Sequence, residues 1–155
     1  MPLIWVAIYL PHNISPYNMN LPPKYTANLT PYQRLLQQKL IAKSQKVYEK
    51  TGKVRDRPEV SAAKTPRSSH AKKFEERYGY PITDKAKVKE DFPDTDIKEI
   101  LAKGAAAYAS SGSRPNVSSF QWREARLASV LTGGPALKVD KDLVGPISYK
   151  KITNY

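Results

Sequence analysis

The residue types that carry out chemistry are few in this chain and poorly spaced for it. Of its two histidines, His12 lies in a proline-rich stretch and His70 at a predicted helix start, and neither has a partner at the offsets that hold a metal ion. A Ser/His/acid triad would have to draw on the same two residues, and no Gly-x-Ser-x-Gly elbow is present. Gly133-Gly134-Pro135 lacks the Lys-Ser/Thr that follows a phosphate-binding loop, and Gly112-Ser113-Arg114-Pro115 is not framed by a strand and a helix. The carboxylates Asp94 and Asp96 stand where a helix should begin, so capping the positive end of the helix dipole is their expected use. The expectation is of a protein that is not an enzyme, with no catalytic residue, no metal site and no cofactor.

What the sequence offers instead is positive charge. The chain holds 26 Lys/Arg against 14 Asp/Glu, a net +12. Residues 1–67 carry 11 against 3 and residues 68–155 carry 15 against 11, so the excess is concentrated toward the N-terminus. Within it, Lys39, Lys43, Lys46 and Lys50 recur at i, i+4, i+7 and i+11, which on a helix forms one basic face. Such a face calls for an acidic partner: nucleic acid, an anionic membrane surface or an acidic protein surface. Tyr32 and Tyr48 are the only aromatics flanking it, too few to make a base-stacking platform, which ranks protein contact above nucleic acid.

The elements that must position these residues are mostly helical. Leu3–Leu10 is rich in β-branched and aromatic types and is expected to be extended. Its eight residues are far short of the ~20 needed for a membrane-spanning helix. Ile4, Trp5, Val6, Ile8 and Leu10 make it a candidate docking segment for a sheet edge or an apolar groove of a partner. Pro11, Pro16, Pro22, Pro23 and Pro31 follow and keep the backbone extended.

Thr30-Pro31 then starts a helix that Thr51-Gly52 ends. On it Leu36, Leu40 and Val47 share an apolar stripe, while Ile41 and Tyr48 lie on another side. Residues 53–68, dominated by Lys, Arg, Pro, Ser and Thr, read as a basic linker. Further helices are expected over Ser69–Tyr78 with Gly79 as terminator, after Thr83, and from an Asp94 or Thr95 cap through Gly104 to Gly112. Gly104 sits among small residues on the apolar face, where another helix can approach closely. Ser118 and Gln121 have capping-box spacing for a helix that places Phe120, Leu127 and Leu131 on one face and stops at Gly133-Gly134-Pro135.

The fold class is therefore mainly α: a small irregular helical domain with a long extended N-terminal arm and a basic linker. Its parts are an arm over 1–30, a long basic helix over 31–52, the linker over 53–68, a compact helical domain over 69–145 and a polar tail over 146–155. The absence of cysteine suits assembly in a reducing compartment. On that ground the sequons at Asn13, Asn28 and Asn116 are read as chance matches.

The stretch Lys103-Gly104-Ala105-Ala106-Ala107-Tyr108-Ala109-Ser110-Ser111-Gly112-Ser113-Arg114-Pro115-Asn116 resembles a segment of small virion proteins of nucleocytoplasmic large DNA viruses. The likeness continues through Trp122, Ala125–Leu131, Gly133-Gly134-Pro135-Ala136 and Lys138-Val139-Asp140-Lys141. Ser68-Ser69-His70, Phe74–Gly79 and Ile82–Lys85 also share it. The resemblance implies a minor capsid protein of a chlorovirus-like particle, resident in the virion and assembled in the host cytoplasm. Its partners would be the major capsid protein and other minor capsid proteins, bridged or cemented by this chain. A basic virion protein that binds or packages nucleic acid is the alternative, and contact of the basic face with an inner virion membrane is compatible with either. Arg114, Trp122, Arg123 and Arg126 surround the most specific part of the likeness and are the candidate partner-binding residues of the helical domain. The competing use is internal, with one or two of these arginines pairing with Asp140 or Asp142 to close the domain.

Overall fold

The computed structural model describes residues 21–155. The docking segment expected at Leu3–Leu10, with Ile4, Trp5, Val6, Ile8 and Leu10, and His12 lie outside the described residues. The fold is mainly helical, as expected: α1 (Pro31–Thr51), α2 (Ser69–Tyr78), α3 (Lys85–Asp91), α4 (Ile97–Ser110), α5 (Ser119–Leu131), α6 (Pro135–Val139) and α7 (Pro146–Thr153), with 3-10 turns at Pro23–Tyr25 and Lys141–Leu143. Among the described residues the one β-type pairing is an isolated antiparallel bridge between Thr95 and Val144. Among the described residues two compact units emerge, one made of residues 21–65 together with Ala109–Ser118, the other of Pro66–Tyr108 and Ser119–Tyr155.

The first unit is organised around α1. The Thr30 hydroxyl accepts from the Gln33 amide at 3.2 Å and the Gln33 side chain accepts from the Thr30 amide at 3.0 Å, a complete capping box with Pro31 in the first helical position. Gly52 ends the helix at φ 66, its N–H donating to Tyr48 O at 2.8 Å. The buried side of α1 carries Gln37 and Ile41, and Leu36, Leu40 and Val47, expected to form the inward stripe, are half-buried. The reason is that polar side chains fasten this helix. Gln37 donates to Ser113 O at 3.3 Å, Ser44 to Ala109 O at 3.3 Å and Gln45 to Ser111 O at 3.4 Å. These three bonds satisfy one carbonyl in the last turn of α4 and two just beyond it, where a helix end leaves acceptors open. Beside them Gly112, at φ 124, faces Ile41 and Tyr25. A Cβ there would meet them at 3.3 and 3.2 Å, a crowded contact, and the positive φ favours glycine.

Residues 53–65 have no regular structure, yet they are tied down. Arg57 donates to Ser44 Oγ at 3.0 Å and to Ser113 Oγ at 2.7 Å. Val60 is buried, and its N–H donates to Asn116 Oδ1 at 2.8 Å. The Asn116 amide donates in turn to Ser61 O at 3.2 Å and to Ala63 O at 2.7 Å. Asn116 holds φ 62, a left-handed conformation that asparagine tolerates better than most residues. The segment read from composition as a linker is therefore held by Arg57 and Asn116 together.

The second unit has a contiguous apolar core in which Phe74, Val88, Phe92, Ile100, Leu127 and Leu131 are all fully buried. The Ser68 hydroxyl caps α2 by accepting from the His70 amide, and Gly79 at φ 80 terminates it. Helix α4 runs unbroken through Gly104, where a Cβ would lie 3.0 Å from the Arg123 Cα, so the glycine permits the close approach of α4 and α5 expected from its neighbours. The cap of α4 is Asp96, which accepts from the Glu99 amide at 3.1 Å, in place of Asp94 or Thr95. On α5, Leu127 and Leu131 are buried but Phe120, expected on the same face, is 52 % exposed in the first turn.

Within residues 146–155, read as a polar tail, Pro146–Thr153 form α7, whose Ile152 is buried. Asp94 explains why this short helix is stable. Its carboxylate accepts from the Ile147 amide at 2.8 Å, from the Ser148 amide at 3.0 Å and from the Ser148 hydroxyl, capping α7 from 53 residues away. The Ser148 hydroxyl, followed by the backbone amides, holds the Asp94 carboxyl below the usual carboxylate range against the opposing effect of desolvation.

Candidate partner-binding surfaces

Two sets of residues were singled out as partner-binding within the described chain, and they fare differently. Lys39, Lys43, Lys46 and Lys50 are all exposed on α1. The charge asymmetry of the sequence also follows the units. The unit containing α1 holds 11 Lys/Arg against 3 Asp/Glu, a net +8, and the other holds 15 against 11, a net +4. The field of the first unit is felt at Tyr25, where burial pushes the phenol up while Arg57 and Arg114 pull it down.

The arginine cluster is divided. Arg126 spends its guanidinium internally, with Nε 2.8 Å from Asp140 Oδ2 and Nη2 2.9 Å from Oδ1. Asp140 is 0 % exposed, and Lys103 Nζ lies 3.8 Å from its Oδ1. Arg126 is thus a residue that closes the helical unit, the internal use weighed against partner contact. Arg123 is half-buried, its Cα against Gly104 and its guanidinium 5.7 Å from the ring centre of Phe120. Lys85 lies on the same ring at 5.9 Å while pairing with Glu124, a carboxylate 5 % exposed. Trp122 is half-buried. Arg114 is exposed in the turn before Pro115 and is the member of this set most open to solvent.

Phe120, read from its spacing onto the face of Leu127 and Leu131, joins the surface. Other large apolar side chains in solvent are Tyr32, Val139, Ile147 and Tyr155. Among the described residues no three His, Asp or Glu side chains converge as a metal ion requires. No helix among the described residues is long and apolar enough to cross a membrane.

The fold and its surfaces define a mainly helical, strongly basic protein whose most distinctive residues are occupied in building it. The chain belongs to a family of unknown function, DUF5824, whose model matches residues 22–144. No curated protein and no solved structure matches it.

Proposed function

We propose that this chain is a non-enzymatic minor capsid protein of a large icosahedral DNA virus, bridging or cementing major capsid protein capsomers and other minor capsid proteins. One observation carries the reading. The residues of the resemblance to virion proteins are used as architecture: Gly104 brings two helices together, Gly112 and Asn116 set left-handed turns, and Arg126 forks onto a buried Asp140. A signature spent on holding a shape fits a protein whose work is to present surfaces at fixed positions. The surfaces so presented are exposed Arg114 and exposed Phe120, whose ring lies near Arg123 and Lys85.

Mass spectrometry of purified particles, before and after extraction of the genome by nuclease and salt, tests this reading. The protein is expected to stay with the emptied shells in fixed stoichiometry to the major capsid protein. Its absence from particles, or its complete loss with the genome, would overturn the proposal.

A further inference from the structure

The face of α1 that carries Lys39, Lys43, Lys46 and Lys50 is set by the bonds on its other side. Counting about 100° per residue, Gln37, Ile41, Ser44 and Gln45 centre on one direction and the four lysines on the opposite one. Three side-chain bonds, from Gln37, Ser44 and Gln45 to the carbonyls of Ser113, Ala109 and Ser111, fix the helix about its axis. The lysine row is therefore held outward, and all four members are exposed. Glu49, the one acid on α1, is turned about 90° from the row. It is also the first acid in the chain, so residues 1–48 contain no carboxylate side chain that could neutralise the row.

We infer that this face binds the phosphate backbone of duplex nucleic acid, independently of base sequence. The row extends about 16 Å along the helix at 1.5 Å per residue. Over that distance one strand of a duplex presents roughly five phosphates at about 3.4 Å of axial rise each, enough to engage four ammonium groups. Lysine suits this use, being a flexible point charge that can follow a repeating anion; arginine forks suit single, fixed carboxylates or phosphates. Single strands are disfavoured because they are held largely by stacking on aromatics, and Tyr32 is the lone aromatic aligned with the row. An anionic membrane is disfavoured because Tyr32 is also the only large apolar residue of α1 that is well exposed, whereas membrane-surface helices bury a continuous apolar face. The inference does not rest on the capsid reading, since it concerns the isolated protein and bare duplex.

The test is fluorescence anisotropy with a labelled random-sequence duplex across a salt series. Four phosphate contacts add about −3.6 to the slope of log affinity against log salt, or about 150-fold between 50 and 200 mM salt. Each single Lys→Gln substitution in the row should remove about 0.9 of that slope, and K39Q/K43Q/K46Q/K50Q should remove nearly all of it. Circular dichroism of the quadruple variant should be unchanged, since glutamine is a good helix former. A matched variant of exposed lysines in the other unit, K72Q/K73Q/K87Q/K89Q, should keep the row's share of the slope. An unchanged slope in the α1 variant overturns the inference. So does tighter binding to single strands, to polyglutamate or to phosphatidylcholine vesicles with 30 % phosphatidylserine than to the duplex.

Discussion

Replacing Arg126 by alanine removes both bonds to a carboxylate that has no access to water. Asp140 is 0 % exposed, and its two oxygens take Arg126 Nε and Nη2 at 2.8 and 2.9 Å. Breaking a buried pair from one side costs about 3–5 kcal/mol, chiefly because the remaining charge stays desolvated and unpaired. Lys103, 3.8 Å away and 39 % exposed, can recover part of that loss, which places the expected value near the lower end, about 3 kcal/mol. For a chain of this size that corresponds to a fall in Tm of about 6–12 °C. Urea unfolding followed by circular dichroism measures it directly. The double variant R126M/D140L supplies the contrast: with both charges replaced by apolar groups of similar volume, most of the stability should return. If Arg126→Ala costs less than about 1 kcal/mol, the pair behaves as a surface ion pair and the assignment of Arg126 to domain closure fails.

Asn116→Ala should loosen residues 53–65 by removing the bonds to Val60, Ser61 and Ala63 and by placing alanine at φ 62, so trypsin should cleave at Arg55 and Lys64 much faster than in the parent protein; equal rates would mean that the Arg57 bonds hold this segment without Asn116. Gly104→Val should destabilise by about 1–3 kcal/mol through the contact with the Arg123 backbone, visible as a lowered urea midpoint, and an unchanged midpoint would show that α4 and α5 can separate freely. Asp94 contributes through its ionised form, since its carboxyl is held below the ordinary value of 3.8 in the folded protein. That contribution is complete above the ordinary value and is lost as the pH falls through the lowered one. Asp94→Asn should therefore flatten the acid limb of the stability profile below about pH 4 and loosen α7 at neutral pH, whereas an acid limb identical to the parent's would remove Asp94 from the account.

The parts of the fold legible in the sequence are those written in local chemistry. Thr30-Pro31 and Gly52 bound α1 and Gly79 ends α2 because caps and terminators act within four residues of where they stand. Gly104 was interpretable because its neighbours Ala105, Ala106 and Ala107 leave room for a second helix. What escaped depends on bonds between residues far apart in sequence. The inward face of α1 sets Gln37, Ser44 and Gln45 beside Ile41, and only the carbonyls of Ala109, Ser111 and Ser113 make those three polar residues inward ones. Asn116 reaches back 55 residues to Ser61, and Asp94 forward 54 to Ser148, leaving no periodic trace. The helix at Pro146–Thr153 did carry one usable signal, since Gly145-Pro146 repeats the Gly134-Pro135 start of α6. Of the candidate site, the lysine face was legible because helical spacing alone defines it. The arginine cluster was not resolved by spacing, because the partner of Arg126 lies beyond a helix end.

Locating the chain in an intact icosahedral particle by electron cryomicroscopy tests the central proposal most directly. The account predicts ordered helical density matching α1 and the α4–α5 pair at symmetry-related positions beneath or between major capsid protein capsomers, with Arg114 or Phe120 against a neighbouring capsid chain. A shell fully accounted for by other proteins, with this chain found only in the genome-filled interior or missing from the particle, would contradict it.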